Sequence, residues 1–303
     1  MKTYSVVIPV YRGTNSISKI VSDIEKLTKI NILQIILIFD NGSSSSWDEI
    51  KKIKNTSNIV TGIKLSRNYG QHNATLCGFN YVNSDFVITL DEDMQHNPKY
   101  IYNLIKHQEI YNSDIVYGNY ITRNHNIVRN VLSWTFNKFL GITIKNLNRN
   151  YSSFRLIKVS IAKEILNFNN SYIFIDGYLA WITSNTSSIN IEHEKGYITK
   201  SSYTYSKLFS HCFNIFLTFS DIPIKFLTIS SLLFFLFSMV YFFTIIYNYF
   251  VYNNYIIGFP TITSLLCLGF SFLLFGLAIL AQYLKRINLS VIKKPNYHIS
   301  EIL

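Results

Sequence analysis

One long span of this sequence contains no charged side chain. From residue 226 to residue 284 there is no Asp, Glu, Lys or Arg. Because a transmembrane helix needs about 20 apolar residues, the span is long enough for two crossings. Gly258 and Pro260 interrupt it near the middle. The pattern therefore predicts membrane helices near residues 226–247 and 260–284, joined by a short polar hairpin. A helix pair buried in a soluble core is the alternative.

The part of the chain before this span alternates short apolar runs with segments of helical periodicity. The apolar runs are nearly continuous, as in strands that are covered on both faces. Predicted strands span residues 4–11, 35–39, 59–65, 87–90 and 114–118, and predicted helices begin near residues 15, 72 and 98. This alternation predicts an α/β domain with a doubly wound, largely parallel sheet.

Three consecutive carboxylates follow the fourth predicted strand, namely Asp91, Glu92 and Asp93. In an extended segment alternate side chains share a face, so Asp91 and Asp93 should converge while Glu92 points away. Hard oxygen ligands at a strand end suit Mg²⁺ or Mn²⁺ carrying a substrate diphosphate. The sequence therefore predicts a divalent metal site at Asp91 and Asp93. A solvated acidic turn is the alternative.

Polar residues also follow the second and third predicted strands. Asp40 begins an Asp-Asn-Gly-Ser turn, where its carboxylate can accept a hydrogen bond from a base N–H or a ribose hydroxyl. Arg67 follows the third strand, where its charge can neutralise a diphosphate. An ordinary turn at Asp40 and a surface charge at Arg67 are the respective alternatives.

The chain has a formal net charge of +11, from 28 Lys and Arg against 17 Asp and Glu. No zinc-knuckle spacing or RNA-binding aromatic signature accompanies this charge, so nucleic acid is not the expected partner. Lysines and arginines follow the second apolar segment, as the positive-inside rule expects for a cytoplasmic flank. The N-terminal residues do not resemble a signal peptide. We therefore expect a multi-pass protein of the cytoplasmic membrane with its first two-thirds in the cytosol.

Several motifs, in this order and at these spacings, resemble family 2 glycosyltransferases. They are Ser-Val-Val-Ile-Pro-Val-Tyr at 5–11, Phe-Asp-Asn-Gly-Ser at 39–43, Leu-Ser-Arg-Asn-Tyr-Gly at 65–70, Thr-Leu-Asp-Glu-Asp-Met-Gln-His-Asn-Pro at 89–98 and Ser-Phe-Arg-Leu-Ile at 153–157. The likeness covers practically the whole chain and is closest to the polyprenyl-phosphate, dolichol-phosphate mannosyltransferase-like branch. It implies a GT-A fold and a transfer that inverts the sugar's anomeric configuration.

The resemblance also implies roles for residues around the donor nucleotide. It assigns recognition of a uridine or thymidine nucleotide to Pro9, Tyr11 and Asp40. Asp91 would help to hold the ribose or a metal-bound water.

Further roles concern the reacting groups. Asp93 would ligate Mg²⁺ or Mn²⁺, and Arg67 would help the metal to neutralise the diphosphate as negative charge develops on it. Gln95 would contact the sugar or the acceptor.

Three positions depart from the family pattern. Asn41 stands where many relatives carry a second Asp, and Lys200 stands where many carry Arg. Ser153 replaces an Asp that is a candidate catalytic base in relatives. A phosphate acceptor is already ionised at neutral pH, so it can attack without a base. Asp176 remains a candidate base, and a helix-capping role is its alternative.

An anionic acceptor requires cations close to the membrane. The candidates are Arg155, Lys200 and Lys207, with hydroxyl groups from Ser202 and Tyr203, because these side chains can form strong hydrogen bonds to phosphate.

Apolar residues at helical spacing follow this basic group. They are Tyr205, Leu208, Phe209, Cys212, Phe213, Phe216 and Leu217. Such a stripe predicts an amphipathic helix that lies in the bilayer interface and delivers a lipid phosphate. Packing against the catalytic domain is the alternative.

These inferences divide the chain into a catalytic domain (1–204), a juxtamembrane segment (205–225), a membrane hairpin (226–284) and a basic cytoplasmic tail (285–303). The predicted function is transfer of a sugar from a UDP- or dTDP-sugar to a polyprenyl phosphate such as undecaprenyl phosphate, for cell-surface glycan assembly or modification. A transferase using another lipid or a glycan hydroxyl, and an inactive membrane scaffold, are the alternatives. Homo-oligomerisation is left open.

Overall fold

A computed structural model describes residues 2–12, 15–94, 97–120, 140–141, 143–168, 172–191, 205–220, 222–252, 258–291 and 295–303. The strands are β1 Tyr4–Val10, β2 Ile32–Phe39, β3 Val60–Leu65, β4 Phe86–Thr89, β5 Ile115–Tyr120, β6 Arg155–Lys158, β7 Thr186–Ile191 and β8 Ile299–Ile302. They form one sheet in the order β7-β5-β6-β4-β1-β2-β3-β8.

Helices connect most of these strands. They are α1 Asn15–Glu25, α2 Ser44–Thr56, α3 Gln71–Asn80, α4 Ile101–Tyr111, α5 Val159–Glu164, α6 Ile175–Ile182, α7 Tyr205–Phe219, α8 Ile222–Tyr252 and α9 Phe259–Val291. Short 3₁₀ turns at Pro98–Tyr100 and Ile165–Asn167 precede α4 and follow α5. Pro98 suits the start of a helical segment, because the N–H that it lacks has no helical partner there.

The sheet is mostly parallel, as the sequence predicts. Strand β1 pairs in parallel with β2 and β4, and β2 pairs in parallel with β3. Strand β6 runs antiparallel to β4 and β5, and β8 runs antiparallel to β3. The carboxyl ends of β1 to β4 therefore meet at one edge of the sheet, where α/β proteins bind ligands.

Two hydrophobic cores lie on opposite faces of this sheet. Because successive strand side chains point to opposite faces, Val6 and Ile8 pack with α1, whereas Val7 packs with α3. Val7 also leaves no room for a side chain at Gly78 of α3, where an added Cβ would lie 2.3 Å from Val7 Cγ1. This alternation fixes the register of β1 and hence the direction in which its carboxyl-end residues face.

Helix α7 packs against the α/β domain through its last turns. Ile215 and Phe219 are buried in the core that also contains Tyr178 of α6. Leu217 of the predicted stripe is buried, whereas Phe213 is 45% exposed. One face of α7 therefore belongs to the domain core. The side chains of Tyr205, Leu208 and Phe209 lie outside the description.

Helices α8 and α9 occupy the predicted hairpin and extend beyond its predicted ends. Many of their large apolar side chains are more than half exposed, including Leu233, Val240, Phe270 and Leu274. Counting only the residues that the structure describes, no single helix meets the combined criteria of length and apolarity for a membrane crossing. The segments Cys212–Phe219 and Ile222–Ser230, which meet at an angle of 74°, satisfy these criteria together.

The chain returns to the catalytic domain after α9. Strand β8 extends the sheet by pairing with β3, so that Ile302 lies opposite Ile63. Ser66 N donates a hydrogen bond to His298 O at 2.9 Å, just beyond the end of β3. The sequence predicts only a basic tail here, and this short strand is an addition to that prediction.

Candidate active site

A cavity of about 190 Å³ opens at the carboxyl ends of β1 and β4. It brings together predicted residues that are far apart in sequence, namely Pro9, Asp91, Ser153, Arg155 and Asp176. The remaining lining residues are Gln71, His72, Thr75, Thr89, Leu90, Tyr151 and Phe174. The predicted candidates from β1, β4, β6 and α6 therefore share one cavity.

The acidic segment forms a turn, so the expectation of an extended segment is wrong. Strand β4 ends at Thr89, and Glu92 and Asp93 lie in a turn. Met94 then adopts a left-handed conformation with φ 61° and is buried. The apolar Met94 side chain packs into one of the two cores. Glu92 does face away from the cavity, toward the loop after β1.

Asp91 is held by neighbours on both of its carboxylate oxygens. Gln71 Nε2 donates to Oδ1 at 2.5 Å, and Ser153 Oγ donates to Oδ2 at 2.6 Å. Thr89 Oγ1 in turn donates to Ser153 O at 2.5 Å. These hydrogen bonds fix the direction of the Asp91 carboxylate at the cavity.

Asp40 organises the loop between β3 and α3. Its two carboxylate oxygens accept hydrogen bonds from Tyr69 N and Gly70 N, each at 2.7 Å. The side chain is 4% exposed, and burial raises the pKa of Asp40 although the two backbone N–H groups act to lower it. Gly70 has φ +89°, which favours glycine at this position. The nucleotide-binding role of Asp40 stays a prediction.

Two arginines stack on tyrosines at this edge of the sheet. The Arg67 guanidinium lies 4.7 Å from the centre of the Tyr69 ring, and the Arg12 guanidinium lies 5.3 Å from that of Tyr11. Arg12 and Arg67 are exposed. Both loops thus present a cation beside an aromatic ring, next to the acidic turn. The sequence prediction included Arg67 and Tyr11 but missed Arg12.

Arg155 and Asp176 form a buried ion pair at the cavity. Each is 3% exposed, and Arg155 NH1 donates to Asp176 Oδ1 and to Ser152 O. Tyr117 is also hydrogen-bonded to Asp176, and burial together with Asp176 raises the pKa of Tyr117 far above its ordinary value. Asp176 stands in the first turn of α6. Its carboxylate is therefore committed to a guanidinium and a phenol.

Several predicted residues lie outside the described residues. These are Gln95, Lys200, Ser202 and Tyr203, and the side chain of Lys207 is also outside the description. Their predicted roles stay predictions.

The acidic turn fits a metal that is shared with a substrate. Within the described residues there is no group of three or more His, Cys, Asp or Glu side chains that could hold a metal ion. Mg²⁺ commonly binds through one or two carboxylates plus phosphate oxygens and water, and Mn²⁺ accepts similar ligands. The Asp91 and Asp93 carboxylates match that donor set, with the other ligands coming from a diphosphate and water.

Aromatic and amide residues complete the cavity, and the sequence prediction missed them. His72 packs edge-on against Phe174 at 5.4 Å, and Tyr151 does so at 6.0 Å. Gln71, which holds Asp91, is the first residue of α3. Its position directly after the Arg-Asn-Tyr-Gly motif was the available signal, because a helix that follows a strand begins at the ligand-binding edge.

The fold and the cavity are those of an α/β protein that binds a ligand at the carboxyl ends of its parallel strands. The chain belongs to glycosyl transferase family 2, because the model described as "Glycosyl transferase family 2" matches residues 5–166, more than half of its length.

Curated relatives resemble the chain over nearly its whole length. An undecaprenyl-phosphate 4-deoxy-4-formamido-L-arabinose transferase from Shewanella sediminis is 27% identical, over 99% of this chain and 92% of its own. The SfII prophage-derived bactoprenol glucosyl transferase from Shigella flexneri is 23% identical, over 98% and 97%. The crystal structure of mannosyl-3-phosphoglycerate synthase from Rubrobacter xylanophilus has a TM-score of 0.50 and 11% identity, covering 70% of this chain and 71% of its own. That likeness shows the fold alone.

Proposed function

We propose that this glycosyltransferase moves a sugar from a UDP- or dTDP-sugar to a polyprenyl phosphate, with inversion, at the cytoplasmic face of a membrane. The observation that carries the proposal is the distribution of charge around one cavity. Asp91, the first acid of the triplet, and the buried Arg155 both line it. A metal-bound diphosphate and an anionic acceptor would meet in this cavity.

The donor side consists of the acidic turn and the loops after β1 and β3. Asp93 would ligate the metal, and Asp91, oriented by Gln71 and Ser153, would bind metal-bound water or ribose. A bound Mg²⁺ or Mn²⁺ supplies charge that stabilises the departing diphosphate. Arg67 adds a cation at the same edge, and its stacking on Tyr69 restricts where the guanidinium can move.

The acceptor side is built around Arg155. Its Nη1 donates to Asp176 and to Ser152 O, which fixes the guanidinium. Because Arg155 also lines the cavity, its positive charge can attract a phosphate group there. Lys200 and Lys207 would add charge from the segment that precedes and begins α7.

Both carboxylates that line the described cavity are already hydrogen-bonded. This disfavours either of them as a general base and therefore favours a phosphate acceptor, which needs none. The two carboxylates are Asp91 and Asp176, and each already accepts hydrogen bonds from its neighbours. A hydroxyl acceptor requires a base to remove its proton, whereas a phosphate monoester is largely ionised at pH 7. The commitment of Asp176 to Arg155 therefore supports an acceptor that needs no base.

The path of the chain supports a membrane hairpin with both ends on one side. Helices α8 and α9 expose large apolar side chains along their length, which suits lipid contact. Strand β8 then pairs with β3 of the catalytic domain. Residues before and after the hairpin must therefore lie on the same side of a membrane, and the positive flank after residue 284 suggests the cytoplasmic side.

The relatives lend support from their names. One is called an undecaprenyl-phosphate sugar transferase and another a bactoprenol glucosyl transferase, and both match nearly the full chain. We carry the acceptor class over to this protein as part of the proposal.

A transfer assay tests the proposal. Membranes containing the protein receive a panel of radiolabelled nucleotide-sugars and polyprenyl phosphate, and the lipids are then extracted. We expect label in the lipid fraction for at least one UDP- or dTDP-sugar, and membranes containing the Asp93→Asn variant serve as the matched background. Label that moves to a glycan or to a neutral lipid instead would contradict the proposed acceptor.

A further inference from the structure

Glu92, in the middle of the acidic triplet, binds backbone rather than facing the cavity. Its Oε2 accepts a hydrogen bond from Tyr11 N at 2.9 Å, and its Oε1 accepts one from Arg12 N at 3.0 Å. A longer contact of 3.3 Å joins Arg12 N to Oε2. One carboxylate from the loop after β4 therefore holds two successive peptide N–H groups of the loop after β1.

The Tyr11 peptide is also held from the other side. Ser43 N donates a hydrogen bond to Tyr11 O at 3.0 Å. The loop after β2 approaches so closely that a Cβ at Gly42 would lie 1.6 Å from Tyr11 O. Glu92 and the 42–43 backbone thus fix this peptide between the ends of β4 and β2, which flank β1 in the sheet.

These hydrogen bonds order the loop after β1 before a ligand binds. Hydrogen bonds to a carboxylate are roughly twice as strong as neutral ones, and two of them on adjacent N–H groups leave the peptide little freedom. The fixed segment carries the Tyr11 ring with the Arg12 guanidinium over it. A loop that is already ordered loses less entropy when a ligand binds, so its affinity is higher.

We propose that Glu92 is a positioning residue for donor binding and not a metal ligand. It holds the backbone at Tyr11 and Arg12 in the conformation that binds the nucleotide, while Asp93 in the same turn ligates the metal. The inference rests on the proposed function, because it takes a UDP- or dTDP-type nucleotide as the ligand. The acidic turn then has two separate roles, because Glu92 orders the loop after β1 and Asp93 binds the metal.

Nucleotide binding with and without metal separates these tasks. The full-length protein in lipid nanodiscs is titrated calorimetrically with UDP and with dTDP, once in EDTA and once in Mn²⁺. The variants are Glu92→Gln, which keeps the side-chain size, and Glu92→Asp, which keeps the charge but shortens its reach. Asp93→Asn is the metal-site comparison, and Glu109→Gln on the exposed face of α4 is the matched control.

We expect both Glu92 variants to weaken nucleotide binding by on the order of tenfold, by the same factor in EDTA and in Mn²⁺. Asp93→Asn should weaken binding only in Mn²⁺, and Glu109→Gln should change neither value. A loss for Glu92→Gln confined to Mn²⁺ would make Glu92 a metal ligand and overturn the inference. A lowered melting temperature with unchanged affinity would also overturn it, since the role would then be structural. If the wild-type protein binds neither nucleotide, the proposed donor class fails, and this inference fails with it.

Discussion

Ser153 Oγ donates a 2.6 Å hydrogen bond to Asp91 Oδ2, which links the start of β6 to the first acid of the D-x-D pair. Many members of the family that this sequence resembles carry an Asp in place of Ser153. A carboxylate there would stand directly against Asp91, and two like charges at that distance repel each other. The hydroxyl instead holds Asp91 without adding charge, which suits the proposed anionic acceptor.

The first prediction concerns this contact. Ser153→Asp should lower kcat/KM at pH 7, because the introduced carboxylate repels both Asp91 and the acceptor phosphate. The same repulsion raises the pKa of the carboxylate pair, so activity that needs Asp91 ionised should be lost at a higher pH than in the wild type. A pH–rate profile measures both effects. Ser153→Asn introduces a side chain of nearly the same size as that of Ser153→Asp but without the charge, and it is the matched control.

The opposite result would be equally informative. If Ser153→Asp raises turnover while Ser153→Asn does not, the wild-type protein lacks a base that its reaction uses. The acceptor would then be a hydroxyl.

The second prediction concerns the metal. Asp93→Asn should reduce kcat more than Asp91→Asn, on the order of a hundredfold, because a lost metal ligand removes charge stabilisation that matters most as the diphosphate leaves. Excess EDTA should abolish turnover, and added Mn²⁺ or Mg²⁺ should restore it. Full turnover in EDTA would show that the acidic turn serves another purpose.

The sequence predicted β1 to β5 because their apolar runs are long and end in polar loops, but it did not predict β6 or β7. Position at those ends also led to the prediction of Asp91, which lines the cavity, and of Asp40 and Arg67, which are not among its lining residues. It did not predict the turn at Glu92, since a strand-like period says nothing about where a chain reverses. Met94, which follows the turn, is buried and has a left-handed conformation.

Contacts between segments that are far apart in the sequence could not be predicted, for a different reason. Arg155 and Asp176 were both predicted as site residues, but as an acceptor ligand and a candidate base. Their ion pair depends on how α6 packs beside β6, which no local pattern encodes. Strand β8 was missed because Ile299–Ile302 is only four residues long.

The third prediction concerns the C-terminal strand. Deleting residues 296–303 should lower the melting temperature by several degrees, because it exposes the edge of β3 and removes the packing of Tyr297 and Ile299 on the core. Burial of that tyrosine, which raises the pKa of Tyr297 to about 12, shows how closely the segment packs. Thermal unfolding in nanodiscs measures the change. Glu301→Gln, which removes only an exposed ion pair with Lys51, should have almost no effect.

The fourth prediction concerns topology. In a background without the native cysteines, Lys293→Cys should stay unreactive toward an impermeant reagent added outside intact cells, whereas Asn253→Cys should react. The reason is that β8 pairs with β3, so the proposed membrane hairpin requires an even number of crossings. Labelling of Lys293→Cys from outside would contradict the hairpin, and labelling after cell lysis controls for reactivity.

The last prediction separates two roles for the buried ion pair. If Arg155 binds the acceptor, Arg155→Lys should raise the KM for polyprenyl phosphate more than the KM for the nucleotide-sugar, because lysine keeps the charge but lacks the planar guanidinium. Arg155→Ala is a poorer test, since leaving Asp176 buried without its partner destabilises a fold by about 3–5 kcal/mol. Asp176→Asn should then also raise the KM for polyprenyl phosphate, because the Arg155 guanidinium loses the carboxylate that positions it. If Asp176→Asn instead lowers kcat on the order of a hundredfold with both KM values unchanged, Asp176 is the base and the acceptor is a hydroxyl.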